Sequence, residues 1–386
     1  MNGINNITRV AWGCCWFNEA TDTVVSFVSS VVNSYKSSNI EIVPIVFLAS
    51  LDIKEEDVSR LRKSVDKVVL LKNQINVFPN KNYGIYSIIN YARKARIEYV
   101  AIVDPDWSID ECNKFVEAIL RPVLSNEADI IIPNIGNAAG RDNKIIGCSL
   151  IDLFYPDYKD KIITPFPGSF SAITEKLLSI VNSDSYHFDW GGEWDIISYS
   201  ISNNYKIKSV DVDVVNVRHR NNSSKIQDAY QMWRAAFSNH DIIKRFNNLS
   251  NYDDTIVVGG PLYKVILDNT KTINEIIEVL RKMDLSPTEK QLLYMVLYPL
   301  SCIINNNTYD YEVDDNSSCP YEKNQLDYIK QMAIIYAKKT LGNAKTTVEE
   351  LHTIAQNITG SYFGNWNMES INRARKNMLK QIEEAL

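Results

Sequence analysis

The chain has 386 residues, of which 45% are hydrophobic and 23% charged, a composition that is ordinary for a folded protein of two or three domains. Its 41 basic and 47 acidic side chains give a net charge of −6, which argues against a general nucleic-acid-binding protein. The six cysteines lack CxxC spacing, no apolar stretch is long enough to span a bilayer, and the polar start lacks a signal-peptide pattern. We therefore expect a cytoplasmic protein with reduced thiols and no membrane span.

Short apolar runs alternate with amphipathic stretches through the first 215 or so residues. The predicted strands are 10–15, 41–48, 67–71, 99–103 and 129–133, and the predicted helices between them are 21–35, 55–65 and 83–96. Ser108 and Glu111 match a capping box, which predicts that the next helix opens there and runs to about Leu120. The alternation indicates an α/β fold with a mostly parallel, doubly wound sheet, in which ligands bind at the carboxyl ends of the strands.

The last 150 or so residues have a helical pattern. Three more capping boxes begin there, at Thr272, Ser286 and Thr346. We therefore predict two domains, an α/β domain over residues 1–230 and an α-helical domain over residues 231–386. The helical domain is expected to shape one side of the ligand site or to form a homo-oligomer contact.

Asp104 and Asp106 follow directly after the apolar run 99–103. Two carboxylates after a buried strand can hold a divalent cation through hard oxygen ligands, and the cation can bind a diphosphate. A chance match is the alternative, because Asp-x-Asp is a common pattern and recurs in this chain at Asp211 and Asp213. There the carboxylates alternate with valines, the period of a half-buried strand, so we assign the second pair to a solvated strand face.

His219 lies between Arg218 and Arg220, just after that later strand. Cationic neighbours lower the pKa of a histidine and so favour its neutral, metal-binding form. A surface histidine without a ligand is the alternative interpretation. Both arginines are candidates for contacts with a phosphate.

Residues 188–195 bring three carboxylates, two glycines and two tryptophans together. The apolar spacing after Trp194 predicts a helix, so Glu193 and Asp195 would lie in its first turn, where the helix dipole alone favours acidic residues. With Asp189 and the aromatic rings they describe a sugar site equally well, since carboxylates bind hydroxyl pairs and rings pack on C–H faces. The sequence leaves both interpretations open.

Three smaller features have a plain interpretation and a functional one. Gly168 and Ser169 lie in a Pro/Gly turn between apolar segments, whose simplest interpretation is a turn. Glu19 follows the first predicted strand and either opens a helix or contacts a nucleotide. Lys81 precedes the helix 83–96 and is either solvated or able to reach a phosphate.

The order of these features is more specific than any one of them. Asn-Glu follows the first strand, Lys-x-x-Gly precedes a helix, Asp-x-Asp follows an apolar strand, and Pro-Gly-Ser, Gly-Gly-Glu-Trp-Asp and a histidine come later. In this order the chain resembles the GT-A glycosyltransferases, and within them the retaining synthases of mannosylglycerate and glucosylglycerate. The resemblance covers roughly residues 10–237, and the helical tail is similar in kind to the C-terminal extension of mannosylglycerate synthase.

The resemblance implies a GT-A fold, which is Rossmann-like with a mostly parallel sheet flanked by helices, together with an α-helical C-terminal extension. The implied ligands of Mg²⁺ or Mn²⁺ are Asp104, Asp106 and His219. The implied donor-binding residues are Glu19, Lys81, Asp104 and Arg220, and the implied acceptor-binding residues are Gly168 and Ser169. The catalytic candidates are Glu193, Asp195 and Asp189, of which we prefer Glu193 because it follows the paired glycines.

These assignments predict a metal-dependent glycosyltransferase that moves a hexose from a nucleotide-diphosphate sugar, UDP- or GDP-linked, to a small hydroxyl acceptor. Retention of anomeric configuration follows from the resemblance alone. An inverting transferase with one of the three carboxylates as general base is the first alternative. A nucleotide-sugar pyrophosphorylase would usually carry a Gly-rich phosphate loop, which residues 16–20 lack. A non-catalytic binding or assembly protein is the remaining alternative.

Overall fold

The computed structural model of the chain comprises two compact units. The first unit spans residues 1–139, 161–218 and 368–386, and the second spans 140–160 and 219–367. The residues that the structure describes are 7–35, 39–75, 80–108, 111–135, 147, 151, 155–166, 168–216, 232, 235 and 368–386. In the second unit they include a short 3₁₀ helix, Pro156–Tyr158. All the elements named below belong to the first unit.

Nine strands are described in the first unit. They are β1 (Thr8–Trp16), β2 (Ile40–Leu48), β3 (Val69–Lys72), β4 (Tyr99–Ile102), β5 (Trp107–Ser108), β6 (Ile130–Asn134), β7 (Phe170–Ile173), β8 (Ile207–Asp211) and β9 (Val215–Asn216). Seven of them form one sheet in the order β3-β2-β1-β4-β7-β6-β8, and β5 pairs with β9. Within the large sheet only β7 is antiparallel to its neighbours. The predicted mostly parallel, Rossmann-like sheet is confirmed.

Helices cover both faces of this sheet. They are α1 (Thr21–Ser34), α2 (Glu55–Ser64), α3 (Lys81–Lys94), α4 (Cys112–Leu124), α5 (Thr174–Val181), α6 (Gly191–Ser202) and α7 (Met368–Ala385). On one face α1, α2 and α4 share an apolar core with β1, where the Trp12 ring packs on Phe27 and Phe115 at centroid distances of 6.5 and 6.4 Å. On the other face Tyr83 of α3 packs edge-on against Phe47 of β2 at 5.5 Å. Burial on both faces explains the continuous apolar runs of the central strands.

The predicted capping box at Ser108 and Glu111 is wrong. Ser108 lies in β5, where it pairs with Val215 of β9, and α4 begins only at Cys112. Glu111 is the N-cap residue, but its side chain makes no capping hydrogen bond and instead accepts one from Lys114 at 2.7 Å. The strand pairing therefore takes Ser108 away from the helix that its sequence pattern suggests.

The last described helix, α7, packs against α3 and β3 of the α/β unit. Its buried residues recur at helical spacing and are Ile371, Ala374, Met378 and Ile382. Most of the predicted helical domain, 231–386, lies outside the described residues, so that domain and its boundary after residue 230 stay predictions. Among the helices that the structure describes, none is long and apolar enough to cross a membrane.

Candidate active site

Strand β4 brings the Asp-x-Asp motif to the carboxyl edge of the sheet, as predicted. All four residues of β4 are buried, and Asp104 and Asp106 follow it with partly exposed side chains. The backbone N–H of Asp104 donates a hydrogen bond to the hydroxyl of Ser169 at 3.1 Å. Two separate parts of the chain, the end of β4 and the turn before β7, therefore meet at this carboxylate.

The Lys81 ammonium lies between two carboxylates. Its Nζ is 2.9 Å from Asp104 Oδ2 and 3.0 Å from Glu193 Oε1. The side chains of Lys81 and Glu193 are only 10% and 7% exposed, whereas the Asp104 side chain is 26% exposed. Because Lys81 begins α3 and Glu193 lies in the first turn of α6, the ion pairs join both helix starts to the end of β4. The solvated alternative for Lys81 is wrong.

Burial and charge together set the protonation of these groups. Burial raises the pKa of Asp104 to about 7; Asp106 and Glu193 add to the rise, while Lys81 opposes it. Burial alone would lower the pKa of Lys81, but Asp104 and Glu193 hold it above its ordinary value, so the ammonium stays charged. Asp106 adds the charge of a third carboxylate to the two that Lys81 contacts, and this excess of negative charge favours a second cation beside Asp104.

A glycine turn closes over the same atoms. Gly168 has a φ of +74°, in the left-handed region that favours glycine. A Cβ at this position would lie 2.1 Å from Asp104 Oδ2 and 2.7 Å from Lys81 Nζ. The turn is therefore part of the site's wall, and any larger residue would displace the ion pair. An acceptor-binding role for Gly168 and Ser169 stays a prediction.

The start of α6 is held close to the start of α3, and the helix predicted there is confirmed. A Cβ on Gly192 would lie 2.3 Å from the His187 carbonyl oxygen and 2.6 Å from Asn82 Cγ. Asp189, which is 3% exposed, accepts a hydrogen bond from the Gly191 N–H at its Oδ1, at 2.9 Å. The Asp189 carbonyl accepts another from Asn82 Nδ2 at 2.5 Å. These contacts hold the helix start, and a catalytic role for Asp189 stays a prediction.

Asp195 makes a local pair with His187. Its Oδ2 accepts the backbone N–H of His187 at 2.8 Å and lies 2.9 Å from Nδ1 of the same imidazole. The two side chains are only 15% and 10% exposed. Asp195 therefore anchors the segment before α6, whereas Glu193 contacts Lys81, and a catalytic role for either carboxylate stays a prediction. Nothing in the sequence pattern indicated that His187 would pair with Asp195.

Glu19 stabilises the turn between β1 and α1. Its Oε2 accepts the backbone N–H of Phe17 at 2.8 Å, and its carbonyl accepts Trp16 Nε1 at 3.0 Å. Burial raises the pKa of the neighbouring Cys15 thiol, and the negative charges of Asp104 and Glu19 add to the rise. Glu19 thus lies within electrostatic reach of the site, and a nucleoside contact stays a prediction.

The two tryptophans of the 188–195 cluster have different surroundings. Trp190 is partly exposed, and the centroid of its ring lies 5.3 Å from Lys81 Nζ. Trp194 is fully buried and packs edge-on against Phe166 at 6.1 Å. Trp190 is therefore the ring available beside the ion pairs, and Trp194 belongs to the core.

The carboxylate oxygens at this edge of the sheet suit a hard divalent cation. Asp104 and Asp106 offer carboxylate oxygens on a partly exposed edge beside the negative charge of Glu193. Within the described residues, no group of three or more His, Cys, Asp or Glu side chains is placed to hold a metal ion. His219 and Arg220 lie outside those residues, so their predicted roles stay predictions.

The second Asp-x-Asp lies on a solvated strand end, as predicted. Asp211 closes β8 and Asp213 follows it, and both side chains are exposed. The carboxylate of Asp211 accepts a hydrogen bond from Asn134 Nδ2 at 2.6 Å, across the β6–β8 ladder. The same sequence pattern therefore gives two different environments, set by where each strand ends.

No protein-family model and no curated protein match the chain. A crystal structure of a mycobacterial protein covers 60% of this chain and 74% of its own at 17% identity, with a TM-score of 0.50. Glucosyl-3-phosphoglycerate synthase from Mycobacterium tuberculosis with Mg²⁺ and UDP covers 60% and 79% at 17% identity and a TM-score of 0.47. The same synthase with Mn²⁺, UDP-glucose and phosphoglyceric acid covers 60% of this chain and 79% of its own at 16% identity, with a TM-score of 0.48. The first of these similarities shows a shared fold.

Proposed function

We propose that this chain is a metal-dependent glycosyltransferase that moves a hexose from a nucleotide-diphosphate sugar, UDP- or GDP-linked, to a hydroxyl group of a small acceptor. The observation that carries the proposal is the buried Lys81 ammonium between Asp104 and Glu193, at the carboxyl edge of the sheet. Ligands of open α/β sheets bind at this edge. The order of the motifs, which resembles that of GT-A glycosyltransferases, is the second support.

Asp104 and Asp106 would hold Mg²⁺ or Mn²⁺ through their carboxylate oxygens, with His219 as the third protein ligand. A bound divalent cation neutralises the charge that develops on a leaving diphosphate. Asp104 then has two tasks, because the same carboxylate also fixes the Lys81 ammonium at 2.9 Å. Removing it would disturb both the cation and the lysine.

Lys81 would bind the diphosphate directly. An ammonium has three N–H donors and no acceptor; one of them donates to Asp104 Oδ2, while Glu193 Oε1 lies 3.0 Å from the same nitrogen as an ion-pair partner. A further N–H would reach a phosphate oxygen of the donor, with Arg220 as another phosphate contact. Because both carboxylates hold Lys81 before the substrate binds, little reorganisation is needed when negative charge develops.

Glu193 and Trp190 would bind the sugar, and the Gly168–Ser169 turn would face the acceptor. For retention, the departing phosphate oxygen takes the proton of the acceptor hydroxyl as the new glycosidic bond forms on the same face, so no separate base is required. In the inverting alternative one of the three carboxylates would be that base. The carboxylates of Asp189 and Asp195 already bind Gly191 and His187, and that of Glu193 pairs with Lys81, which favours the first scheme.

The test is hexose transfer from UDP- and GDP-sugars in the presence of Mn²⁺, with product detected by mass spectrometry. Replacing Asp104→Asn together with Asp106→Asn should reduce the rate by about 100-fold or more, because cation binding is lost. The matched control is Asp211→Asn with Asp213→Asn, the same change on an exposed strand end, which should keep its activity. Equal rates for the two double variants, or full activity in EDTA, would contradict the proposal.

A further inference from the structure

Helix α7 binds the segment that leads into α6. The Arg375 side chain, which is 15% exposed, donates from Nη1 to Asp184 Oδ1 at 2.9 Å. Its Nη2 donates to the carbonyl oxygen of Ser183. The guanidinium carbon also lies 5.7 Å from the centroid of the Phe188 ring. One side chain therefore holds the segment 183–190 at two points, its beginning and the aromatic ring near its end.

Phe188 in turn contacts α3. Its ring centroid lies 5.3 Å from that of Tyr83 and 5.2 Å from that of Tyr86. Its carbonyl oxygen accepts the backbone N–H of Tyr83 at 3.3 Å. The Tyr83 hydroxyl donates to the carbonyl oxygen of Ala374 in α7 at 2.9 Å. Helix α7 thus contacts both partners of the junction between α3 and the segment before α6.

The Lys81–Glu193 ion pair spans the same junction. Lys81 is two residues before Tyr83 on α3, and Glu193 is five residues after Phe188 on α6. An additional attachment holds α7 elsewhere, because the Gln381 amide donates to the Lys72 carbonyl at 3.0 Å and accepts the Lys72 N–H. A change at Arg375 therefore removes the contact with segment 183–190 without removing the attachment of α7 to β3.

We infer that Arg375 is a positioning residue, which holds Phe188 and the segment 183–190 so that α6 brings the Glu193 carboxylate onto Lys81. Its guanidinium suits this role because the planar fork binds a carboxylate and a carbonyl at once while its face packs on an aromatic ring. The effect on turnover rests on the proposed function, whereas the effect on the junction does not.

The experiment compares Arg375→Ala and Arg375→Lys with a control that removes a different contact between α3 and α7. Lys94→Ala removes the ion pair of α3 with Glu383 of α7 but leaves segment 183–190 untouched. Hydrogen exchange of the full chain, followed by mass spectrometry, needs no substrate. We expect faster exchange in peptides covering 80–86 and 186–193 for Arg375→Ala, an intermediate rate for Arg375→Lys, and no change there for the control.

Steady-state kinetics give the second readout. For Arg375→Ala, kcat of hexose transfer should fall about tenfold while KM for the nucleotide sugar changes by less than about threefold, because the Asp104 contacts remain. Unchanged exchange at 80–86 and 186–193, or an equal rise throughout the sheet, would overturn the inference and leave a purely structural role. The predicted exchange pattern in a protein that transfers no hexose would uphold the positioning role and refute the proposed function.

Discussion

Asp104 links the electrostatics of the site to cation binding. Burial raises its pKa to about 7, with Asp106 and Glu193 adding to the rise and Lys81 opposing it. The carboxyl group must lose its proton to bind a cation, so the affinity for Mn²⁺ should increase about tenfold between pH 6 and pH 8. Calorimetric titration of Mn²⁺ at the two pH values measures this. The Asp104→Asn variant should lose most of the increase, and a wild-type affinity that is independent of pH would contradict the assignment.

Gly168 is a second residue whose replacement should act on the site more than on the fold. An alanine there would lower the free energy of unfolding by about 1 kcal/mol because of the left-handed backbone. Its Cβ would also push Asp104 Oδ2 and Lys81 Nζ apart. We expect Gly168→Ala to lower activity by about tenfold or more. Asn126→Ala is the matched control, since Asn126 is an exposed residue with a φ of +58°. Asn126→Ala should lose similar stability in thermal unfolding yet keep full activity. Equal activity of the two variants would show that the Gly168 turn does not belong to the site.

The sequence identifies the charged residues of the site better than their partners. Asp104 could be placed because a buried apolar strand ends just before it, which fixes where its carboxylate emerges. The position of Lys81 between Asp104 and Glu193 could not be predicted, since it depends on two helix starts meeting across the sheet edge. For the same reason the pattern could not separate Trp190, beside the lysine, from the buried Trp194.

Two acidic residues near the start of α6, Glu193 in its first turn and Asp195 two residues later, should respond differently to substitution. Asp195 accepts two contacts from His187, so Asp195→Ala should cost about 2 kcal/mol of unfolding free energy. Asp195→Asn keeps an acceptor oxygen and should restore much of the stability and most of the activity. Denaturant unfolding and transfer rates measure both effects. If Asp195→Asn is as inactive as Asp195→Ala, Asp195 acts as a catalytic carboxylate and not as an anchor.

Elements that are buried on both faces were predictable, and those that depend on distant pairing were not. β1, β2 and β4 are continuous apolar runs because helices cover both sides of the sheet. Ser108 has a correct local pattern for a helix start, but the pairing of β5 with β9 takes it into a strand. A capping pattern carries no information on a partner strand much later in the chain, so this element could not be placed.

At the scale of the whole molecule, the net charge of −6 is compatible with an anionic donor because the proposed binding depends on local charge. Lys81 and a bound cation would meet the diphosphate at the edge of the sheet, where Asp104 and Asp106 lie. The packing of α7 against α3 and β3 could not be predicted from the sequence. Its apolar stripe indicates that the helix packs, but the stripe does not say against which element.

In the proposed function, Asp104 and Asp106 bind a nucleotide diphosphate through a divalent cation. Calorimetric titration of UDP, and in parallel of GDP, into the full chain with Mn²⁺ or with EDTA tests this most directly. We expect saturable binding of at least one nucleotide, about tenfold or more tighter with Mn²⁺, and loss of that gain in the Asp104→Asn, Asp106→Asn double variant. Equal affinity with and without the metal, or no binding of either nucleotide, would contradict the account.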